Sequence, residues 1–447
     1  KKNPIYVGVG CMTGPQIIHA LNIAKFVRSE NPKIPIVWGG VHPSTLPEQT
    51  MQHPLVDIVL INEAEHSLVE MTTKIRNQQD LTGLKGIYFK KEGEIIKNPK
   101  VDVFANLSSF PIPAWHLILD DKDHYLIRIF SSKGCPYECT FCYNKLFHNR
   151  RWRVRTAKHV FEEIDYLVEH FGLKEIQIGD DVFILNKKIA IQIFDGLRER
   201  GLILKWCMTR ADCIDEEVAQ KMEGVVKEVS FGIESGSPRM LELIKKDTTI
   251  ERIKESARIL GKYDISFGSG FICGFPFETD EDLMLNVKFA KELHDINPNH
   301  RLMMGIFVPY PGSEMYNLME NKYGMKPPQT LEGWARSDQY GEIDPDLVPW
   351  LKDDMDFYKQ YCKSFNNLFE MRNKRVRDIY KEGFWGKNKE NMIVEEKDTQ
   401  NLKANNQSES ENSPIINDGA ATEDCCSKGA CTKSSYDSTS KHGPNFY

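Results

Sequence analysis

The feature of this sequence that most constrains its fold is a repeated alternation of short, apolar, β-branched runs with longer amphipathic stretches. Such an alternation predicts strand–helix units whose strands form a parallel sheet covered by helices. From Tyr125 onward, six strands are predicted, at 126–132, 175–180, 204–210, 228–233, 266–272 and 302–307. Six consecutive units predict a partial TIM-type barrel, (β/α)6, which lacks two strands of a closed one. Its open side leaves room for a bulky substrate.

A shorter alternation precedes the barrel series and predicts a second α/β unit of the Rossmann-like type. Its predicted elements are strands at 5–9, 34–40 and 57–62 and helices at 16–28 and 65–75. The stretch 84–98 alternates around a Glu-Gly pair and predicts a β-hairpin. Because the chain starts without Met and runs directly into a strand, we expect an upstream part of this domain to be absent.

These patterns divide the α/β chain into two domains and further segments. The Pro-rich stretch FPIPAW, at 110–115, marks the boundary between the domains. The tail is rich in Asn, Ser, Lys and Glu, so it is predicted to be disordered. The predicted divisions are a Rossmann-like domain with its hairpin at 1–104, a linker at 105–124, a partial barrel at 125–312, a helical cap at 313–385 and a tail at 386–447.

Composition narrows the class of protein. The net charge of −6 argues against a nucleic-acid partner. The chain contains no apolar run of the roughly 18 residues that would cross a bilayer. The first residues given, KKNPIYVGVG, lack the h-region and cleavage site expected of a signal peptide. Its 11 cysteines are an odd number and are unevenly spaced. This usage fits a reduced, cytoplasmic protein with a metal site better than a disulfide framework.

A cluster of cysteines carries the clearest chemical signal. Cys135, Cys139 and Cys142 have the spacing C-x3-C-x2-C directly after the first predicted barrel strand. Thiolates this close in sequence can ligate one iron–sulfur cluster. Three ligands leave one iron of a four-iron, four-sulfur (4Fe–4S) cluster open to a small molecule. The alternative is a zinc knuckle with His148 as its fourth ligand, but the spacing is not that of ordinary zinc sites.

The cysteine motif, with Phe141 as the aromatic residue before the third cysteine, resembles the signature of radical S-adenosylmethionine (SAM) enzymes. The resemblance implies that SAM chelates the open iron and that one electron cleaves it to a 5′-deoxyadenosyl radical. It also implies a low-potential electron donor of the flavodoxin or ferredoxin type. The protein positions and shields these cofactors.

Other segments at the ends of the barrel strands resemble the same family, at the edge where barrels build active sites. The resemblance implies that Asp180 and Asp181 lie near the SAM amino or ribose groups, Arg210 near its carboxylate, and Glu234 near the ribose or the substrate. A structural Arg210–Glu234 ion pair is the alternative. The further residues implied in SAM binding are Phe141, Tyr143, Gly179 and Gly274.

Three stretches, GCMTG (10–14), WGGVHP (38–43) and NEAEHS (62–67), each follow a strand of the first domain. They should meet at the carboxyl edge, where such sheets bind ligands. The absence of G-x-G-x-x-G weakens an NAD or FAD interpretation. The set resembles the cobalamin-binding domain found ahead of radical SAM barrels, although Asn62 replaces a Gly of that pattern. The residues implied in cobalamin binding are Thr13, Gly39, Gly40, Val41, His42, Glu63 and Glu65.

Alternatives remain open within this interpretation. His42 is either a cobalt ligand or a hydrogen-bonding loop residue, and the first domain is either functional or degenerate and empty. The tail cysteines 425, 426 and 431 lack a fixed geometry, and the isolated cysteines elsewhere are expected in packing roles.

The resemblance implies an anaerobic enzyme in which cobalamin faces the SAM cluster, most commonly for methylation of an unactivated carbon by way of methylcobalamin. A cyclase or rearranging enzyme, such as the anaerobic ring-forming enzyme of chlorophyll synthesis, and a non-enzymatic cobalamin sensor are the alternatives. The substrate is a small molecule, a peptide or a protein.

Overall fold

The first sheet has five strands, β1 (Val7–Gly10), β2 (Ile36–Gly39), β3 (Ile58–Leu60), β4 (Ile87–Lys91) and β5 (Glu94–Lys97), which are neighbours in that order. The computed structural model describes residues 4–101, 106–117, 127–337 and 342–369. Strands β1, β2 and β3 are parallel, whereas β4 and β5 add in antiparallel fashion at the β3 edge. Glu92 and Gly93 join β4 to β5 with φ of 53° and 85°, the left-handed pair that a tight hairpin turn needs.

Four helices belong to this sheet: α1 (Gln16–Glu30), α2 (Val41–Thr45), α3 (Pro47–Gln52) and α4 (Glu65–Arg76). Helix α1 buries Ile17, Leu21 and Ala24, which recur at helical spacing on one face. The strands themselves are almost continuously apolar, because they are covered on both sides. The predicted Rossmann-like unit is confirmed.

The second sheet carries the barrel. Five parallel strands, β8 (Glu175–Ile178), β9 (Ile203–Thr209), β10 (Val226–Phe231), β11 (Ser266–Cys273) and β12 (His300–Ile306), lie side by side in chain order. Before them, β6 (Ser132–Lys133) and β7 (Arg153–Val154) form a short antiparallel pair. The partial barrel is therefore confirmed.

The first predicted barrel strand, at 126–132, is shorter than expected. It contributes one parallel bridge, from Ile129 to Ile178 of β8, and residue 126 lies outside the described residues. Ile129 is fully buried. The chain leaves the barrel after this bridge because Ser132 and Lys133 turn away to pair with β7.

The barrel strands are connected by amphipathic helices: α5 (Asn144–Phe147), α6 (Ala157–Phe171), α7 (Lys187–Glu199), α8 (Glu216–Met222), α9 (Pro238–Leu243), α10 (Ile250–Lys262) and α11 (Asp280–Ile296). In α10 the Thr249 side chain caps the first turn, and Ile253, Ala257 and Leu260 form its buried face. No described helix combines the length and the apolarity that a membrane crossing requires.

The C-terminal region is only partly helical, with α12 (Glu314–Lys322), α13 (Leu331–Trp334) and α14 (Met355–Phe369) separated by turns. Helix α14 packs on β12, and the Asn366 amide bonds to the backbone N–H and C=O of Met304, which covers the strand edge. Helix α13 packs instead on α1 of the first domain, so the region is more than a barrel cap. The predicted tail at 386–447 lies outside the described residues.

Candidate active site

The three predicted cluster cysteines lie in the loop between β6 and α5. All three are unpaired thiols and partly buried. The backbone N–H of Cys142 donates to the carbonyl of Cys139 at 3.1 Å, so the second and third cysteines share one turn. The N–H of Asn144 donates to the sulfur of Cys142 at 3.5 Å. Hydrogen bonds of this kind tune the sulfurs of iron–sulfur clusters.

Burial of the cysteine loop keeps its three thiols protonated unless a metal binds them. Burial raises the pKa of the Cys142 thiol to about 12, and burial also raises the pKa values of Cys135 and Cys139. The charges of Lys246 and Arg210 act in the opposite direction on Cys139. These thiols are therefore neutral without metal, and metal binding must release their protons.

The zinc alternative is not supported by this geometry. His148 does not join the thiols, because its Nδ1 atom lies 2.8 Å from the Glu63 carboxylate. Among the described residues, no three His, Cys, Asp or Glu side chains converge on a point that could hold one ion. A cubane has no such requirement, since each thiolate binds a different iron.

The two aspartates after β8 have different positions. Asp180 is buried and accepts hydrogen bonds from the Ser131 N–H at 2.7 Å and from the hydroxyls of Ser131 and Ser132 at 2.5 and 2.7 Å. Burial raises its pKa to about 6. Asp181 instead accepts from the N–H of Gly134, in the cysteine loop, at 3.2 Å. Asp181 is thus the aspartate that faces the predicted cluster.

Arg210, at the end of β9, joins three loops. Its guanidinium bonds to Asp212 at 2.8 Å and to the carbonyls of Lys246 and Asp247 at 3.0 and 2.6 Å. It also stacks on the ring of Tyr137, 3.6 Å from the ring centroid, within the cysteine loop. Arg210 therefore ties the cysteine loop to the ends of two barrel strands.

Glu234 does not pair with Arg210, so the structural alternative for these two residues is not seen. Its carboxylate lies 2.7 Å from the ammonium group of Lys246, and both side chains are buried. Burial lowers the pKa of Lys246, but the charges of Glu234 and Cys139 outweigh it, and the pKa is raised. Glu234 has a left-handed backbone, with φ of 66°. Strain of this type concentrates at functional sites.

The other predicted barrel residues lie around the same loops. Phe141 packs against the main core, and burial raises the pKa of Tyr143. The ring of Phe130 lies within 3.0 Å of where a Cβ on Gly179 would sit. Gly274 has φ of +83°, and its carbonyl accepts from the indole N–H of Trp350 at 2.8 Å. The roles of these residues in SAM binding stay predictions.

At the carboxyl edge of the first sheet, Thr13 and His42 contact each other. The Thr13 hydroxyl lies 2.9 Å from Nδ1 of His42. His42 is fully buried in α2 and packs edge-on against Trp334, with ring centroids 5.7 Å apart. Burial lowers its pKa to about 4, and its Nε2 atom is buried without a partner among the described residues. His42 is neutral and belongs to a helix rather than to a loop.

The glycines at this edge have different surroundings. Gly40 has φ of +93°, and a Cβ there would sit 2.7 Å from the Cys11 carbonyl oxygen. No side chain is tolerated at this position. Gly39 ends β2 and Val41 begins α2, so both flank the same turn. A Cβ on Gly10, at the end of β1, would meet nothing within 4 Å.

The third motif of the first domain contacts the segments that flank the cysteine loop. Glu63 bonds to His148 and Arg153, and Glu65 forms an ion pair with Lys133. Burial raises the pKa of Glu63, but these partners outweigh it and lower the pKa to about 2. Sequence reasoning did not find Lys133, Arg153 or Lys246, because pairing between distant charges leaves no local pattern.

Asn62, where the resembling pattern has Gly, adopts φ of 59°. Asn is among the few residues that tolerate this left-handed conformation. Its N–H also donates to the Ser44 hydroxyl at 2.8 Å. The replacement of Gly by Asn therefore preserves the backbone that the loop requires.

The fold and site define an α/β protein in which the loop after β3 of the first domain contacts the segments that flank the cysteine loop of the barrel. Comparisons with known proteins identify its family. The B12 binding domain model matches residues 1–72, and the radical SAM superfamily model matches residues 129–290. An uncharacterized methyltransferase of Pyrococcus horikoshii is 34% identical over 323 residues, 71% of this chain and 69% of that protein. The chain belongs to the family of radical SAM enzymes that carry a B12-binding domain.

Further relatives share the architecture. An anaerobic magnesium-protoporphyrin IX monomethyl ester cyclase of Rubrivivax gelatinosus is 27% identical, over 71% of this chain and 59% of that protein. The radical SAM methyltransferase TsrM of Kitasatospora setae, solved with cobalamin and an iron–sulfur cluster, has a TM-score of 0.62 at 20% identity, over 73% and 69% of the two chains. OxsB, a cobalamin-dependent SAM radical enzyme, has a TM-score of 0.63 at 19% identity, over 84% and 62%. These structures establish the fold.

The two family models fit a 4Fe–4S cluster, SAM and cobalamin as the cofactors of this chain. The described residues suit them. The cysteine loop presents three thiols, of which Cys142 accepts from a backbone N–H, and the end of β1 at Gly10 leaves open space at the edge of the first sheet.

Proposed function

We propose that this chain is a cobalamin-dependent radical SAM methyltransferase that acts on an unactivated carbon. One observation carries the proposal. The loop at the cobalamin-binding edge and the segment that bears the cysteines contact each other through Glu63 and Glu65. Two cofactors held at these positions would be neighbours, as transfer of a methyl group between them requires.

The residues of the chain have distinct roles in this proposal. Cys135, Cys139 and Cys142 would hold the cluster. Asp181, Arg210 and Glu234 would orient SAM, together with Phe141, Tyr143, Gly179, Asp180 and Gly274. The cobalamin would lie against Thr13, Gly39, Gly40, Val41 and His42. Glu63 and Glu65, which the resemblance implies as further cobalamin contacts, are instead engaged by His148, Arg153 and Lys133, so we assign them to the contact between the two domains. When bound, the cluster supplies an electron that cleaves SAM to a radical, and cobalamin supplies a cobalt centre competent for methyl transfer.

The Glu234–Lys246 pair places charged groups beside the cysteine loop, and because both side chains are buried, this side of the loop is shielded from water. Exclusion of water protects a reactive radical from side reactions. A small molecule, peptide or protein is the substrate class that we propose, with a flavodoxin- or ferredoxin-type reductant in a reducing compartment.

A cyclase or rearranging activity is the second candidate, because a cyclase relative matches 71% of the chain. The two activities differ in their products from SAM. Methyl transfer forms S-adenosylhomocysteine together with 5′-deoxyadenosine, whereas the alternative forms 5′-deoxyadenosine without S-adenosylhomocysteine.

The deciding experiment uses the full chain, reconstituted anaerobically with iron, sulfide and cobalamin and supplied with SAM and a low-potential reductant. Both nucleoside products are quantified by liquid chromatography. We expect both from the wild type and neither from Cys139→Ala. Cys213→Ala, which removes a thiol outside the cluster loop, is the matched control and should retain both. Products that persist in Cys139→Ala would contradict the proposal, whereas the absence of both products from the wild type would favour a non-enzymatic sensor.

A further inference from the structure

We propose that Glu63 and Glu65 are positioning residues that fix the cluster segment against the cobalamin-binding edge, and so set the gap that the methyl group crosses. This inference rests on the proposed function. The two carboxylates lie on the NEAEHS stretch after β3, and their partners lie on both strands of the β6–β7 pair. The contact therefore joins the loop after β3 in the first domain to the two strands that flank the cysteine loop.

Glu63 makes a buried contact with two residues of the cluster segment, His148 and Arg153. Its Oε1 atom accepts from Nδ1 of His148 at 2.8 Å and also from Arg153. The side chains of Glu63, His148 and Arg153 are only 9%, 10% and 16% exposed. A charge pair shielded from water is strong and directional, so it defines one docked position.

The partners of Glu63 and Glu65 are connected to the cysteines through the backbone of the β6–β7 pair. Lys133 pairs with Glu65, and Arg153 is the residue opposite Lys133 in the β6–β7 ladder. Gly134 follows Lys133, and a Cβ there would sit 2.0 Å from the Arg151 carbonyl oxygen, so the two strands are in contact at this point. Cys135 is the next residue. A displacement of the carboxylates would therefore move the first cluster ligand.

The Glu63 contact is more buried than an ordinary ion pair on the surface of the protein. Glu48 and Lys97 form such a pair within the first domain, 2.6 Å apart, with 61% and 48% of their side chains exposed. Exposed pairs of this kind contribute little to structure. Glu48→Gln is thus a matched control for the loss of a glutamate charge.

The test compares Glu63→Gln, Glu65→Lys, the double variant Glu65→Lys/Lys133→Glu and Glu48→Gln, each as the full chain reconstituted with cluster and cobalamin. Hydrogen exchange is measured over 62–67 and 132–154. Added SAM and cobalamin under reducing conditions then report methyl transfer as S-adenosylhomocysteine and SAM cleavage as 5′-deoxyadenosine. Iron content and the dissociation constant for cobalamin are recorded for every variant.

We expect Glu63→Gln to speed exchange in both segments and to lower S-adenosylhomocysteine formation about tenfold to a hundredfold, since a displacement of about 1 Å costs that much in a positioned reaction. Iron content, cobalamin affinity and 5′-deoxyadenosine formation should stay within about twofold of the wild type, because the substitution alters the distance between the cluster segment and the cobalamin-binding edge and leaves each site intact. Glu65→Lys should have similar effects. The charge-swapped double variant Glu65→Lys/Lys133→Glu should recover wild-type hydrogen exchange and S-adenosylhomocysteine formation.

Two results would overturn the inference. Unchanged methyl transfer in Glu63→Gln would refute it, as would a decrease that only follows lost iron or lost cobalamin. If Glu63→Gln fails to fold, the recovery of the swapped pair at the more exposed Glu65 decides the question. Absence of S-adenosylhomocysteine from the wild type would refute the proposed function itself, which a change confined to the variants does not.

Discussion

Substitution of Glu278 by Gln should make the protein more resistant to unfolding at alkaline pH. One carboxyl oxygen of Glu278 accepts from the N–H of Gly274 at 2.5 Å, and the other is buried without a hydrogen-bond partner among the described residues. Burial raises the pKa of this carboxyl from 4.5 to about 8. Gln has the shape of the protonated acid and carries no charge, so it keeps the contact with Gly274.

The sign and the size follow from proton linkage. Between pH 4.5 and 8 the folded state retains a proton that the unfolded chain has lost. The free energy of unfolding of the wild type therefore falls as pH rises through this interval. A shift from 4.5 to about 8, at about 1.4 kcal/mol per pH unit, corresponds to a loss on the order of 5 kcal/mol.

Urea unfolding at pH 5 and pH 8.5, carried out anaerobically, measures the effect. The difference in unfolding free energy between Glu278→Gln and the wild type should shift in favour of the variant by several kcal/mol, on the order of the linkage value. Glu281→Gln, at an exposed position three residues later in the first turn of α11, should show no such shift. If both variants follow the pH dependence of the wild type, Glu278 is ionised in the folded state and the reasoning is wrong.

Two further predictions concern strained or buried charge positions. Lys246→Met leaves the Glu234 carboxylate buried and alone, so it should lower the free energy of unfolding by about 3–5 kcal/mol. Lys245→Met, at an exposed pair with Glu314, should change it by less than about 1 kcal/mol, and equal effects of the two substitutions in denaturant unfolding would contradict this prediction. Asn62→Val should cost about 1–2 kcal/mol through its left-handed backbone. Asn62→Gly should not, and a thermal scan that fails to separate the two would exclude strain as the cause.

The sequence predicted the strands best where short apolar runs alternate with helices. Strands β8 to β12 lie within a few residues of their predicted positions, because each is an apolar run closed off by a helix. The hairpin at β4 and β5 was also predictable, since Glu92 and Gly93 have the chemistry that its turn needs. The strand predicted at 126–132 was overestimated, because the pairing of β6 with β7 depends on residues twenty positions away.

The site could be predicted as a set of motifs but not as a set of contacts. The cysteine spacing and the stretches at the strand ends are local and readable. The partners of Glu63, Glu65 and Glu234 are not, because each lies on another loop and charged residues are common on any surface. The left-handed backbone of Asn62 could not be predicted from the sequence either, since the sign of its φ angle is set by the folded loop.

The contact between Trp334 and the first domain has a consequence for synthesis of the protein. Trp334 is fully buried, and its indole N–H donates to Gln49, 285 positions earlier in the chain, at 2.7 Å. At about 5–20 residues per second, a ribosome needs roughly 15 to 60 s to cover that distance. During this interval the nascent first domain has an uncovered apolar surface at His42. A chain whose synthesis ends within the barrel would therefore leave this surface of the first domain without its Trp334 cover.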